Sequence, residues 1–213
     1  MMKNKKIIIY GTGGLGRGIV DLIGSINKYS ETQWDTIGFA DDSEIRSEIN
    51  GLEVLGGIDY LLNYQKELNI VLAFGSPKVK EKVYNALAVN KNIHFPNLIH
   101  PSVEISRYNQ LGKGNIISKG VALSTNITIS NFNLIHYNCS IGHDVKMGDY
   151  NSVFPLTALS GYDELGDSVE IGTNTAVIPN VTFGNNSVVG AGSTIIKHVR
   201  ENSRVAGVPG KEI

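Results

Sequence analysis

The carboxyl-terminal half of the chain places a large apolar residue at every sixth position without a change of phase. The repeat runs through Ile99, Ile105, Leu111, Ile117, Leu123, Ile129, Ile135, Ile141, Met147, Val153, Leu159, Leu165, Ile171, Val177, Phe183, Val189 and Ile195. Four residues after most of these anchors stands a small or β-branched residue, as at Val121, Ile127, Cys139, Val145, Thr157, Val169, Thr175, Val181, Ser187 and Ser193. A period of six fits neither the α-helix, with about 3.6 residues per turn, nor the two-residue period of a simple strand.

A period of six fits a three-sided coil. If six residues form one side, eighteen form a coil, and each anchor lies over the equivalent anchor of the coil below. The pattern therefore predicts a parallel β-helix of between five and six coils. A β-sandwich is the alternative, but its strands would come at irregular spacing with hairpin turns. Glycines often follow an anchor and are expected at corners, namely Gly112, Gly142, Gly148, Gly166, Gly172, Gly184 and Gly190.

The amino-terminal part shows a different pattern, that of a nucleotide-binding unit. A short apolar strand at 6–10 is followed by Gly11-Thr12-Gly13-Gly14-Leu15-Gly16 and by a stretch with one apolar helical face. Glycines let a backbone approach a phosphate, and the helix amino end supplies free N–H groups. Asp41 and Asp42 follow the next strand, at 36–40, where an acid that binds a ribose would lie.

This unit has room for only about four strands, adding 70–74 and 93–95, with helices near 16–27, 58–68 and 77–89. A dinucleotide fold uses five to six or more strands. A mononucleotide or nucleotide-sugar ligand is therefore favoured over NAD. An NAD-binding regulator, and glycines that merely tighten a turn, are the alternatives. Gly75 follows the third strand at the same carboxyl edge and is expected to face the ligand.

These patterns predict an α/β plus all-β chain in two domains. Residues 1–96 form a small Rossmann-like domain with a parallel sheet, and residues 97–213 form the β-helix with a carboxyl-terminal tail from 200. The formal net charge of −1 and the lack of a basic stripe argue against nucleic acid as a partner. No segment has the length of a membrane span, and the first apolar run is too short for a secretion signal, so a cytoplasmic protein is expected.

His143 is the histidine best placed for chemistry, because it precedes Asp144 in the middle of the β-helix. An imidazole titrates near neutral pH and can remove a proton from an attacking amine or hydroxyl. Counting by eighteen places Thr125 below His143 and Gly161 above it. A bare glycine there is expected to leave space for a second substrate, and its N–H to polarise a carbonyl. No metal site is expected, because zinc wants three or four converging ligands, whereas His136 and His143 fall on different faces.

The whole chain resembles the sialic acid O-acetyltransferase family of sugar acyltransferases, which includes nucleotide-amino-sugar N-acetyltransferases. The segments that carry the resemblance are the glycine turn at 9–16, Gly38-Phe39-Ala40-Asp41-Asp42, Asn97-Leu98-Ile99-His100-Pro101, Ile141-Gly142-His143-Asp144, Ile178-Pro179-Asn180 and Gly207-Val208-Pro209-Gly210-Lys211.

The resemblance implies a left-handed β-helix, a homotrimer, and acetyl-CoA in the groove between subunits. It implies His143 as general base with Asp144 raising its basicity. Acetyl-CoA would contact Ser152, Gly161, Thr173 and Ala191, and the nucleotide sugar would contact Gly13, Gly14, Leu15, Asp41, Asp42 and Gly75, with His136 as a further substrate-binding residue. Leu15 stands where some relatives have histidine, which leaves the base and the sugar open.

The function expected from the sequence is acetyl transfer from acetyl-CoA to the amine of a nucleotide-activated sugar, for bacterial surface glycan synthesis. Acetylation of a hydroxyl, on sialic acid or a related sugar, is a close alternative. A non-catalytic partner that binds a nucleotide sugar and stabilises a biosynthetic complex is the alternative from another class.

Overall fold

The computed structural model describes residues 5–29, 31 and 33–213. These residues form two compact units, one of residues up to Gly75 together with Val79–Pro101, the other of Ser76–Lys78 together with Ser102–Ile213. The domain boundary at 96/97 that the sequence suggests stays a prediction.

The first unit is built on a small parallel sheet. Up to Ile99 the elements are β1 (Lys5–Tyr10), α1 (Gly14–Tyr29), β2 (Trp34–Ala40), β3 (Glu48–Ile49), β4 (Leu52–Glu53), α2 (Ile58–Leu62), β5 (Leu68–Leu72), α3 (Pro77–Leu87), β6 (Ile93–His94) and β7 (Leu98–Ile99). The sheet order is β2-β1-β5-β6, with every pairing parallel. Ile7, Ile8 and Ile9 of the central strand are fully buried, which is why this apolar run forms the core. The four strands predicted from the sequence are confirmed.

The second unit is a stack of very short strands. They are β8 (Gln110–Leu111), β9 (Ile116–Ile117), β10 (Ala122–Leu123), β11 (Thr128–Ile129), β12 (Leu134–Ile135), β13 (Ser140–Ile141), β14 (Lys146–Met147), β15 (Ser152–Val153), β16 (Ala158–Leu159), β17 (Glu164–Leu165), β18 (Glu170–Ile171), β19 (Ala176–Val177), β20 (Thr182–Phe183), β21 (Val188–Val189), β22 (Thr194–Ile195), β23 (Arg204–Ala206) and β24 (Lys211–Glu212). From β8 to β22 every third strand pairs in parallel, which gives three sheets. This unit is a left-handed parallel β-helix.

The apolar anchors form the core of the β-helix. From Ile129 to Ile195 the anchors are each 5% exposed or less, and the residues four positions later are equally buried, as at Val145 and Val169. Anchors eighteen positions apart pair with one another, for example Ile135 with Val153, except that Leu159 and Val177 do not. The predicted period and stacking are confirmed.

The corners are made by residues with left-handed backbone geometry rather than by the glycines that follow the anchors. Positive φ angles recur every sixth residue at Asn126, Phe132, Asn138, Asp144, Tyr150, Leu156, Tyr162, Ser168, Asn174, Asn180 and Asn186, with φ between 56° and 65°. Asparagine is frequent there because it tolerates this region better than most residues. The prediction that the glycines after the anchors form the corners is therefore wrong. A Cβ on Gly142 or Gly172 would lie within 2.6 Å of backbone in the next coil, so close stacking requires glycine.

A ladder of buried asparagines joins successive coils. Asn115, Asn133 and Asn151 are at most 1% exposed and occupy the interior position four residues after an anchor. The Oδ1 atom of each accepts the backbone N–H of the residue eighteen positions on, at 2.8 Å, 2.9 Å and 2.7 Å. These side chains satisfy buried backbone donors that the strands leave unpaired.

Candidate active site

His143 lies on a corner of the β-helix directly after β13, and its imidazole is oriented by the next residue. Nδ1 of His143 is 2.9 Å from Oδ2 of Asp144. In an extended strand, adjacent side chains would point to opposite faces. Asp144 instead has a φ of 60°, and this left-handed turn brings the two side chains together. The predicted pairing of Asp144 with His143 thus has a local backbone cause.

The pairing fixes which imidazole nitrogen is available. An ionised carboxylate only accepts hydrogen bonds, so beside it a neutral imidazole favours the tautomer with the proton on Nδ1 and the lone pair on Nε2. The His143 side chain is 51% exposed, which leaves it accessible from solvent, whereas that of Asp144 is 33% exposed. The arrangement can accept a proton at Nε2 and stabilise the resulting positive charge.

Gly161 packs against the imidazole from the next coil. A Cβ on Gly161 would lie 2.6 Å from both Cε1 and Nε2 of His143. The coils are in the expected register, because Asp144 N–H donates to the Thr125 carbonyl at 3.1 Å and Tyr162 N–H to the His143 carbonyl at 3.0 Å. The expectation that the bare glycine leaves space for a second substrate is wrong, because the imidazole itself fills that space.

The Gly161 backbone N–H keeps its donor capacity. No hydrogen-bond acceptor meets it within the part of the chain that the structure describes. The Tyr162 ring lies edge to face with the imidazole, with ring centroids 5.0 Å apart. A backbone N–H without an acceptor, on a residue that packs against the imidazole, suits a carbonyl oxygen that gains charge during acyl transfer. The role of Gly161 as an oxyanion donor stays a prediction.

The other residues expected to contact acetyl-CoA lie away from this corner within one chain. Thr173 and Ala191 are exposed and stack on one another after β18 and β21, on a different edge of the β-helix. Ser152, in β15 of the sheet that leads to that edge, is fully buried. Nδ1 of half-buried His136 accepts the Tyr137 N–H at 2.9 Å, and burial lowers the pKa of His136. The ligand roles of these residues stay predictions.

The glycine turn in the first unit contains two glycines that the backbone geometry requires and two whose surroundings are open. Gly11 has a φ of 112°, and a Cβ on Gly16 would lie 1.9 Å from the Gly11 carbonyl oxygen. Both are needed for the tight turn into α1. Gly13 and Gly14 are exposed, and a Cβ on either would meet nothing within 4 Å. Their bare backbone faces open space, as a phosphate-binding turn requires.

The turn sits where the sheet changes direction. Strands β2 and β5 lie on opposite sides of β1, and ligands in such sheets bind outside the carboxyl ends at this point. Leu15 is partly exposed in the first turn of α1. Gly75, just after β5, is also partly exposed at this carboxyl edge.

Asp41 and Asp42 hold this edge together. The Asp41 carboxylate accepts the N–H of Thr12 at 3.0 Å and the Thr12 hydroxyl at 2.7 Å. Burial by itself would raise the pKa of Asp41, but hydrogen bonds from Ser43 and Thr12 outweigh it and lower the pKa to about 2. Asp42 accepts the Tyr10 hydroxyl and, at 2.8 Å, the Ile58 N–H. Asp41 thus orients the turn, Asp42 joins β1 to the start of α2, and contact of either carboxylate with a ligand stays a prediction.

Asp163 is a residue that the sequence pattern did not single out, although a signal was available. It stands four residues after Leu159, where most repeats have a small or β-branched residue, and it is fully buried. Burial raises the pKa of Asp163 to about 6, although hydrogen bonds from Val181 and Ser160 lower it. An ionisable group in an apolar interior next to the His143 corner calls for a specific explanation.

Across residues 5–29, 31 and 33–213, no three His, Cys, Asp or Glu side chains converge as a metal site would need. None of the helices described combines the length and the apolar composition needed to cross a bilayer.

Comparison with known proteins agrees with this arrangement. Residues 6–87 match the PglD N-terminal domain family. The chain is 25% identical over 187 residues to the GDP-perosamine N-acetyltransferase of Escherichia coli O157:H7, covering 86% of this chain and 82% of that protein. A 33% identical match to the galactoside O-acetyltransferase of Escherichia coli strain K12 covers 44% of this chain and 40% of that enzyme.

Two solved structures share the fold over nearly the full length. PerB from Caulobacter crescentus, in complex with CoA and GDP-perosamine, has a TM-score of 0.88 at 24% identity and covers 100% of this chain and 99% of its own. The acetyltransferase domain of PglB from Neisseria gonorrhoeae FA1090, in complex with acetyl coenzyme A, has a TM-score of 0.88 at 23% identity and covers 99% of this chain and 100% of its own.

Proposed function

We propose that this chain, a hexapeptide-repeat sugar acetyltransferase with a PglD-type amino-terminal domain, moves an acetyl group from acetyl-CoA to the amine of a nucleotide-linked amino sugar. The observation that carries the proposal is the corner at which Asp144 holds Nδ1 of His143 and Gly161 packs against the imidazole from the next coil. A general base next to an oxyanion donor is the arrangement that acyl transfer needs.

The reaction follows from that geometry. The sugar amine attacks the thioester carbonyl of acetyl-CoA, and Nε2 of His143 takes the proton that the amine loses. The Gly161 N–H stabilises the negative charge on the carbonyl oxygen, and Asp144 stabilises the imidazolium. The carbon–sulfur bond then breaks, an amide is left on the sugar, and CoA leaves as the thiol with the proton that His143 returns.

The nucleotide is assigned to the glycine turn of the first unit. Support comes from Gly13 and Gly14, whose backbone faces open space, and from the likeness to an enzyme named for a GDP-linked amino sugar. Leu15, Asp41, Asp42 and Gly75 belong to the same carboxyl edge of the sheet. Acetyl-CoA is assigned to the β-helix unit, with Ser152, Gly161, Thr173 and Ala191 as its expected contacts.

Release of free CoA tests this function directly. Purified protein is mixed with acetyl-CoA and a panel of GDP- and UDP-linked amino sugars, each paired with the corresponding sugar that carries a hydroxyl instead of the amine. We expect CoA release with an amine, and loss of at least about 100-fold in kcat for His143→Ala. His94→Ala is the matched control, because His94 is exposed in β6 of the other unit.

The outcomes separate the candidate functions. Release only with hydroxyl sugars would favour O-acetylation, the activity named for the relative that matches 44% of the chain. Calorimetry that shows nucleotide-sugar binding without acetyl-CoA binding would favour the non-catalytic partner. Full turnover by His143→Ala would remove the proposed base.

The proposal includes a homotrimer working in the cytoplasm. Support for assembly comes from exposed apolar side chains along the β-helix, with Leu156 54%, Ile178 43% and Ile196 42% exposed. Burying such side chains against another subunit is favourable. Light scattering after gel filtration would give the mass, and a monomer would contradict this part.

A further inference from the structure

One backbone step in the sheet next to His143 departs from the regular ladder. In that sheet, neighbouring strands share two aligned residue pairs, but β16 and β19 share only Ala158 with Ala176. At the equivalent position of the coil below, Gly142 N–H donates to the Leu159 carbonyl at 2.9 Å. In the coil above, Ile178 N–H donates to the Ile195 carbonyl at 3.1 Å. Ser160 N–H instead donates to Oδ2 of Asp163 at 2.8 Å.

Side chains satisfy both groups that the missing bond would leave open. Asp163 provides the acceptor for Ser160 N–H. The carbonyl of Val177, which Ser160 N–H would otherwise reach, accepts the Ser160 hydroxyl at 2.6 Å. The other oxygen of Asp163 accepts Val181 N–H at 2.9 Å. Because no buried donor or acceptor is left unpaired at this step, the departure is a stable feature of the fold.

Comparison with the asparagine ladder explains why position 163 needs a carboxylate. Asn115, Asn133 and Asn151 fill the same kind of interior position and accept one N–H from the next coil through Oδ1. Their Nδ2 atoms donate to carbonyls, as Asn151 does to Gly148 at 3.1 Å. An amide would therefore suffice to join the coils at position 163. Only a carboxylate offers each of the two N–H groups an oxygen of its own there, and it does so despite complete burial.

The departure falls on the peptide that contacts the candidate base. Ser160 is followed by Gly161, whose Cα faces the His143 imidazole and whose N–H has no acceptor in the described chain. The Ser160–Gly161 peptide also packs on Gly142, where a Cβ would lie 2.6 Å from the Gly161 nitrogen. The height of this peptide above the imidazole is therefore set by Ser160 and Asp163 on one side and by Gly142 on the other.

We propose that Asp163, together with the Ser160 hydroxyl, is a positioning residue for acetyl transfer: it takes the Ser160 N–H away from the regular ladder and so sets the position of the Gly161 peptide against the His143 imidazole. Asp163 acts through the corner and does not touch the substrates. The effect on kcat rests on the proposed function. The effect on the hydrogen bonds of the backbone does not depend on that function.

Asp163→Asn is the test. The amide oxygen can still accept Val181 N–H, as the ladder asparagines accept theirs, but the NH₂ group that takes the place of Oδ2 is a donor and cannot accept Ser160 N–H. We expect Ser160 N–H to return to the Val177 carbonyl and kcat to fall about 10- to 100-fold. KM for acetyl-CoA and for the nucleotide sugar should stay within twofold, and the thermal midpoint should not fall. A merely structural role would lower the thermal midpoint and leave kcat per folded molecule unchanged.

Asp167→Asn is the matched control. Its Oδ1 accepts the Asp149 N–H at 2.7 Å on another corner, in an exposed ladder where Asn131 and Asn185 already serve. We expect wild-type kcat and KM from it.

Ser160→Ala keeps the Asp163 carboxylate and removes only the hydroxyl, so it should lower kcat by a smaller factor than Asp163→Asn. If Asp163→Asn does not fold, Ser160→Ala takes its place as the test. An unchanged kcat in Ser160→Ala would then overturn the proposal.

A crystal structure of Asp163→Asn separates this inference from the proposed function. If the 160–162 corner keeps its position in the variant, the proposal is overturned whatever the activity. If wild type releases CoA, His143→Ala does not, and Asp163→Asn turns over within twofold of wild type, only the positioning role fails. If Ser160 N–H in the variant donates to the Val177 carbonyl and the corner moves, the positioning role stands, whichever sugar proves to be the acceptor.

Discussion

Replacing Gly161 by alanine should disable His143 while leaving the fold intact. The new Cβ would lie 2.6 Å from Cε1 and Nε2 of the imidazole. Carbon atoms in contact are normally about 3.5 Å apart, so the ring must move by about 0.9 Å. A shift of that size away from Asp144 lengthens the Nδ1 to Oδ2 distance of 2.9 Å to about 3.8 Å, beyond a hydrogen bond.

The loss should appear in kcat rather than in stability. A displacement of about 1 Å at a reacting group can reduce the rate about 100-fold, which corresponds to about 2.7 kcal/mol of activation free energy. The imidazole is half exposed and can move into solvent, so the free energy of unfolding should change by less than about 1 kcal/mol.

Steady-state CoA release and urea unfolding of Gly161→Ala measure the two effects. Gly24→Ala is the control, because it lies in α1, where a Cβ meets nothing within 4 Å. It should keep the wild-type kcat. Turnover by Gly161→Ala within twofold of wild type would show that the contact with the imidazole has no part in the reaction.

Three further results are expected. Asp144→Asn should fold normally, because asparagine tolerates a φ of 60°, but kcat should fall at least tenfold in a pH–rate profile, since a neutral amide no longer stabilises the imidazolium; an unchanged profile would contradict the pairing. The folded pKa of Asp163 is raised from 3.8 to about 6, so its stabilising contribution is full below the unfolded pKa and is lost as pH rises through about 6. Urea unfolding of wild type should thus lose about 2 kcal/mol from this group between pH 4 and pH 7, and Asp163→Asn should lack that loss. Gly16→Ala should destabilise the first unit by about 2 kcal/mol because its Cβ would collide with the Gly11 carbonyl, whereas Gly13→Ala should unfold like wild type yet bind nucleotide sugars about tenfold more weakly in calorimetry.

The sequence predicted the β-helix because its core follows a simple count. Anchors such as Ile135 and Val153 must be apolar in order to stack, and no other fold needs that spacing. The position of His143 between Thr125 and Gly161 followed from the same count. The first unit was equally readable, because a buried strand, a glycine turn and an amphipathic helix follow directly in the chain.

The details of the site depended on backbone geometry that cannot be read from the site residues themselves. Nothing in the pair His143-Asp144 shows that Asp144 has a left-handed φ, which is what brings its carboxylate to the imidazole. The contact of Gly161 with the ring depends on the height of one peptide. That height depends in turn on whether Ser160 N–H meets a carbonyl or Asp163, and such a choice between two acceptors appears only in three dimensions.

The fixed length of a coil also limits how this chain can change in size. An insertion or deletion of eighteen residues above the His143 corner would add or remove one whole coil and leave the direction of the imidazole unchanged. A change of six residues below it would turn that face by about a third of a revolution, because each side of the prism uses six residues. Natural variation in the length of the β-helix should therefore come in whole coils of eighteen residues.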